Sequence, residues 1–173
     1  KTKEIPPTAE ELAILKAEPL NIFSPFIDIY KAVLEMPTVM WQLFLVYLFQ
    51  WYAMMCYWQN NSKSIALSVW NVTPKDVMGY EKAVEWNGLI VAFGFIVTFS
   101  IAFYLAKLAK KHGAKMIHFA CLLFGAISFL WFPTIQNQYV FFAVIIGYGI
   151  AWASMMGIPY LMVVAVIPKE RYG

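Results

Sequence analysis

The sequence predicts an all-α, polytopic membrane helix bundle: four transmembrane helices preceded by a cytoplasmic amphipathic helix. Three observations carry this prediction. Residues 139–167 run 29 positions without Asp, Glu, Lys, Arg or His, longer than the ~20 apolar residues that a span requires. The chain is 61% hydrophobic and only 13% charged, far from the balance of soluble globular domains, in which about a quarter of residues are charged. The aromatic share of 18% excludes a disordered, solvating chain. A net charge of +3 is too small to point to nucleic acid, so the placement of the charges says more than their sum.

Residues 1–38 are polar to mixed and read as a cytoplasmic linker. Thr8 and Glu11 form a capping box that opens a short helix ending before Pro19. Ser24-Pro25 is a second helix start, with Ser24 as cap and Pro25 at the first helical position. From there Phe26, Ile29, Tyr30, Val33 and Leu34 share one face, and the helix ends at Met36-Pro37. No signal peptide is expected, because residues 1–36 lack a continuous apolar core flanked by a small-residue cleavage site. The chain opens on Lys1 and closes on Gly173 just after a charged turn, so we expect a piece of a longer protein.

The four spans are read at 39–58, 88–106, 116–132 and 139–167, with 168–173 beginning the next cytoplasmic loop. Ten of the thirteen Lys and Arg residues lie before the first span, between the second and third, or after the fourth. The positive-inside rule therefore places both ends in the cytoplasm. The loop 59–86 lies outside, and its charged stretch 81–85 suggests a solvated helix feeding into the second span. At helical rise, 139–167 is about 44 Å long, against a hydrocarbon core of ~30 Å. It must tilt, protrude or break, and Gly157-Ile158-Pro159 is where a break costs least. Two small-residue stripes run along it. Ala143, Gly147, Ala151 and Ser154 form one; Gly149, Ala153 and Gly157 form the other. Such stripes let helices approach closely in lipid. Tyr148, Trp152, Met155 and Pro159 form a bulkier third face.

No catalytic constellation is visible. His112 and His118 have no carboxylate or second His at ligand spacing, and Cys56 and Cys121 give no metal-binding spacing. We expect no enzyme, no metal and no cofactor. His118, inside the third span, reads either as a polar group bonded to a neighbouring helix or as a member of a proton relay. On the first span, Gln50, Met54, Tyr57 and Asn61 share a face, with Trp58 beside them. A primary amide in mid-span needs partners. It finds them either in an interhelical bond or in a substrate. Amides with Tyr and Trp rings suit a polyhydroxylated ligand, whose C–H faces pack on rings while its hydroxyls meet the amide.

Leu108-Ala109-Lys110-Lys111-His112-Gly113-Ala114-Lys115 resembles the loop signature of the major facilitator superfamily, roughly L-A-D-R-x-G-R-[RK]. Lys111, Gly113 and Lys115 match; Lys110 stands in place of the acidic residue and Ala114 in place of a basic one. Pro168-Lys169-Glu170-Arg171-Tyr172-Gly173 resembles the P-x-E-R-x-G turn that follows the fourth helix of each half. Met36-Pro37 leading to Trp41-Gln42-Leu43, Phe49-Gln50-Trp51-Tyr52 and Gly157-Ile158-Pro159-Tyr160 resemble bacterial sugar:cation symporters related to plant sucrose carriers, of glycoside–pentoside–hexuronide type. The resemblance implies a fragment covering the central loop and helices seven to ten of a twelve-helix carrier in the cytoplasmic (inner) membrane. Its partners would be a sugar, a coupling cation (usually H+), the lipid bilayer, and the missing N-terminal half with the remaining helices. The first helix of each three-helix repeat lines the cavity, which here selects 39–58 and 139–167. We therefore expect Gln50, Tyr57, Trp58, Tyr148, Trp152 and Tyr160 at the substrate, with Met54 and Met155 as adaptable walls. Lys111, Gly113, Lys115, Glu170 and Arg171 are expected to form a cytoplasmic latch. The cation-binding carboxylates are expected in the missing half. Alternatives are an exporter of lipophilic compounds within the same superfamily, a four-span adaptor, or an intramembrane enzyme.

Overall fold

The computed structural model describes residues 23–166. The helix expected from Thr8, and the 168–173 turn with Glu170 and Arg171, lie outside the described residues. Of the described residues, 23–36 and 37–166 belong to separate units.

In the first unit, α1 (Ser24–Leu34) carries Pro25 in its opening turn. The cap falls on Phe23 rather than Ser24, whose hydroxyl instead reaches Asp28 Oδ2 at 3.3 Å. Its apolar side chains Phe26, Ile29, Tyr30 and Leu34 are exposed.

The second unit holds four helices long and apolar enough to cross a membrane. α2 (Thr38–Ile65) overruns its expected end at 58 and continues as a π-helical turn, Ala66–Trp70. The polar residues at 59–63 do not stop it, because side chains such as Asn60 satisfy themselves locally. Its Nδ2 donates to the Cys56 carbonyl at 2.8 Å. The stop comes at Asn71, which takes the left-handed conformation (φ 52°) that asparagine tolerates better than most residues.

α3 (Val77–His112) is capped by Asp76, whose Oδ1 accepts the Gly79 N–H at 3.3 Å. The solvated helix and the second span are thus one element of 36 residues. At about 54 Å it projects beyond the hydrocarbon core, and the expected outer loop of 59–86 contracts to 71–76. Lys82 lies over the Trp70 ring, 5.5 Å from its centroid, and ties α3 to the π-turn.

Gly113 alone separates α3 from α4 (Ala114–Trp131), at a φ of +91° that a side chain would strain. A 3-10 turn, Phe132–Thr134, closes α4 before α5 (Val140–Val164).

α5 is the central helix. Of its most apolar window 61% is buried, against 17–28% for the other three spans. Both small-residue stripes work, on different partners. Toward α4, a Cβ on Gly125 would lie 2.6 Å from the Ala151 Cβ, and one on Gly147 would collide with Ser128 Oγ. Toward α3, a Cβ on Gly149 would lie 2.8 Å from the Gly94 carbonyl oxygen. There the Thr98 hydroxyl lies 2.9 Å from that carbonyl and 3.0 Å from that of Gly149. The stripes are shorter than the sequence suggests: Ala143 is exposed, and Gly157 has open space beside it.

The break expected at Gly157-Ile158-Pro159 does not occur; α5 runs through Pro159. Proline lacks the N–H that would bond to the carbonyl four residues back, here that of Met155. The Tyr47 hydroxyl of α2 donates to that carbonyl at 2.7 Å. A neighbouring helix thus satisfies the freed backbone group, as burial in lipid demands.

Two outcomes follow for thermal unfolding in detergent. Gly147→Ala should cost about 1–3 kcal/mol through overpacking, whereas Gly157→Ala should be neutral or gain up to ~1 kcal/mol of helix propensity. Equal melting temperatures would refute the close-approach argument. Tyr47→Phe should lower stability by about 1 kcal/mol by orphaning the Met155 carbonyl; a wild-type melting temperature would show that this bond carries no weight.

Candidate functional site

α2 turns Gln50, Met54, Tyr57 and Asn61 inward, and all four are buried. Tyr57 packs against Tyr148 of α5 (centroids 5.1 Å apart) and against Phe129 (5.1 Å) near the end of α4. The Tyr148 and Trp152 rings are nearly parallel, 9° between planes at 6.2 Å. Two further tryptophans meet Trp152 edge-on, Trp51 at 6.1 Å and Trp58 at 5.6 Å. The Trp58 indole N–H donates to the Tyr148 hydroxyl at 3.4 Å. Met54 and Met155 are buried.

Seven of the eight expected contact residues thus lie along the inner face of α2 and the facing side of α5. Tyr160 does not join them; it is 70% exposed. Trp51 does join them and was not anticipated, because it lies one residue beyond Gln50 and so off the amide face. Its signal was present in the i, i+7 pairing with Trp58, whose ring it meets at 6.2 Å.

Next to the aromatic cluster is a polar string across three helices. Gln50 Nε2 of α2 lies 3.2 Å from His118 Nε2 of α4, and His118 Nδ1 lies 2.7 Å from Ser154 Oγ of α5. All three side chains are buried, and the Cys121 thiol sits beside the Ser154 hydroxyl. With the Gln50 amide in this orientation its NH2 donates to His118 Nε2, which assigns the ring proton to Nδ1, donated to Ser154. Sequence reading singled out Gln50 and His118 separately, but 68 positions separate the two in the chain.

Among the described residues, Gln50 Oε1 is buried without a hydrogen-bond partner, and the Tyr57 hydroxyl has only the Asn61 side chain beside it. Asn61, one turn beyond Tyr57, is the polar group on that side, and its Oδ1 is engaged by the Ser62 N–H at 2.7 Å. Unmet buried hydrogen-bonding groups cost stability and call for an explanation.

A cavity lies at each end of the α2–α4 contact. One, of about 460 Å³, is lined by Gln42, Leu43, Val46, Lys115, His118 and Met162 among others, at the end of the bundle that carries the basic α3–α4 turn. The other, of about 350 Å³ at the opposite end, is lined by Tyr57, Asn60, Asn61, Ser64, Phe129 and Phe132 among others. Of the expected latch, Lys111 is exposed, Gly113 forms the turn, and Lys115 faces the first cavity.

The family model described as Major Facilitator Superfamily matches residues 2–173. No curated protein matches the chain. No solved structure matches it either.

The polar string has a thermodynamic signature. Ser154→Ala leaves the His118 Nδ1–H buried without its acceptor and should cost about 1–3 kcal/mol, whereas the same change should cost much less once His118 is replaced by Leu and no ring N–H remains to be satisfied. A double-mutant cycle with His118→Leu should therefore show a coupling of about 1 kcal/mol or more in thermal unfolding. Additive losses would mean that the two groups do not interact.

Proposed function

The chain belongs to the major facilitator superfamily of membrane transporters, and from that premise we propose that it forms part of a secondary active transporter that moves a sugar across the cytoplasmic membrane by cation symport, H+ being the coupling ion, through alternating access. One observation carries this reading. Trp51, Trp58, Trp152, Tyr57 and Tyr148 converge where α2 also presents Gln50, whose buried Oε1 has no partner among the described residues, and the Tyr57 hydroxyl, which has only Asn61 beside it. Ring faces accept the C–H surfaces of a sugar. The amide oxygen and the phenol accept from and donate to its hydroxyls. The ligand then supplies the missing partner, which also favours a hydroxylated solute over an apolar one.

In this reading the chain supplies the central linker and helices seven to ten, with both ends cytoplasmic. The remaining wall of the site comes from the rest of the carrier. Met54 and Met155 shape themselves to the ligand. Lys111, Gly113 and Lys115, with Glu170 and Arg171, form a latch on the cytoplasmic side that rearranges between states. An exporter of lipophilic compounds would use the same tryptophans and methionines but would leave Gln50 Oε1 without a partner.

Uptake of labelled sugars by the full-length carrier in proteoliposomes tests the proposal. Trp152→Ala and Gln50→Ala should each raise the half-saturating sugar concentration by about tenfold or more, a loss of ~1.4 kcal/mol. Unlabelled sugar should compete where a lipophilic cation does not. Unaltered uptake in both variants would remove these residues from the site, and competition by lipophilic cations alone would favour the exporter.

A further inference from the structure

We propose that His118 is a proton-binding site of this carrier, loaded from the cavity at the basic end, and that rotation of the Gln50 amide both accommodates the proton and reports it to the substrate. The inference rests on the proton-coupled carrier reading and deepens it by assigning the coupling group.

The placement of the ring is the first argument. His118 lies one turn into α4, about 6 Å along the helix from its start. It lines the 460 Å³ cavity that Lys115 also lines. Water reaching that cavity has a path to the ring that does not cross the apolar bundle.

The second argument is the hydrogen-bond arithmetic. With His118 neutral, Gln50 Nε2–H donates to His118 Nε2 and His118 Nδ1–H donates to Ser154 Oγ. Gln50 Oε1 is left over, buried and without a partner. A protonated ring carries two donors and no acceptor. Its Nδ1–H keeps Ser154. Its new Nε2–H needs an acceptor where the amide NH2 stood, and a half-turn of the amide places Oε1 there. The unused acceptor is the group that the charged state requires. In the step itself a hydronium in the cavity transfers one proton to Nε2, leaving water and an imidazolium; release reverses it.

Coupling follows from the same rotation. While His118 is neutral, Gln50 offers its oxygen away from the ring, to a hydroxyl that donates. Once His118 is protonated, Gln50 offers its NH2, to an oxygen that accepts. Proton binding thus changes which sugar geometry the site satisfies, the differential interaction that linkage between two ligands requires.

The surroundings leave this titration to the histidine. α2 presents Gln50 to the ring, and its Tyr47 hydroxyl is held by the Met155 carbonyl. α5 presents Ser154. α3 contributes apolar Leu105 and Ala109, packed with Cys121. On α4 the titratable neighbours are Lys115 and Cys121. No carboxylate occurs in 37–75 or in 86–166.

The test is the 15N spectrum of the His118 ring in the full-length carrier in nanodiscs, assigned through the Ile117–His118 peptide. Between about pH 8 and pH 5, the range in which histidine switches, the ring should pass from the Nδ1–H tautomer to the doubly protonated form. Gln50→Leu, which removes the acceptor for the new N–H, should move the midpoint to lower pH. A ring that stays neutral down to about pH 5, or a midpoint indifferent to Gln50→Leu, overturns the proposal. In proteoliposomes, a gradient of about one pH unit should drive about tenfold sugar accumulation by the wild-type carrier. His118→Gln should abolish accumulation far more than it slows counterflow; accumulation retained at the wild-type level overturns the proposal. The titration needs no substrate, so an error in the sugar reading appears separately, as absence of sugar counterflow by the wild-type carrier.

Discussion

The contact of α5 with α3 on one side and α4 on the other is the constraint on which the rest of the structure depends. In lipid, an apolar side chain is as well solvated by acyl chains as by another helix, so helices associate through close packing and shared polar groups. α5 supplies the close packing twice. Gly147 and Ala151 bring it against Gly125 and Ser128; Gly149 brings it against Gly94 and Val97. With two sides occupied by near-backbone contact, the third face has one direction left to point. Tyr148, Trp152 and Met155 are therefore delivered to α2, and the aromatic cluster is a consequence of the glycines as much as of the aromatics.

α2 is attached in a different way. Its ties to α4 and α5 include directional bonds from Tyr47, Gln50 and Trp58, together with the ring contacts of Trp51 and Tyr57. One of these bonds mends a defect. Pro159 removes a hydrogen bond from α5, and Tyr47 replaces it from outside, so the helix stays intact where its own sequence would have let it break. Glycine contacts fix separation and register together, because a displaced glycine presents a side chain where a groove had been. A hydrogen bond between side chains fixes one pair of atoms and leaves the helices free to turn about it.

What could be read from the sequence divides along the same line. The four spans, the two stripes on α5 and the inward face of α2 are all periodic features of single helices, and their period is visible in the chain. The amphipathic pattern of α1 was visible for the same reason. The continuation of α2 through 59–63 was not, since polar residues that bond to their own turn resemble a loop in composition while behaving as helix. Features that need two helices at once were out of reach. Tyr47 and Met155 are 108 positions apart, Gln50 and His118 68. Each polar residue could be recognised as needing a partner, but nothing local says which. Trp51 was missed because helical spacing from Gln50 was the criterion, and its ring reaches Trp152 from the flank of that face.

These two kinds of attachment bear on how a carrier built from this unit would work. A cavity lies at each end of the α2–α4 contact, and the Gln50–His118 bond lies between α2 and α4. Opening one end while closing the other asks one helix to tilt against its neighbours. α3 and α4 resist tilting against α5, because their backbones already approach it closely at the glycines. α2 is held to α4 and α5 by side chains, while its outer end packs on α3 through Ile65, Ala66 and Ala83 and through Lys82 on Trp70; a tilt that keeps this end in place moves the Thr38 end most and Gln50 less. A group placed part-way along such a lever keeps its partner through a small motion while the cavity at the basic end changes size. The residue best able to sense a proton would then be the one that remains bonded throughout, which is what a buried histidine between an amide and a hydroxyl achieves.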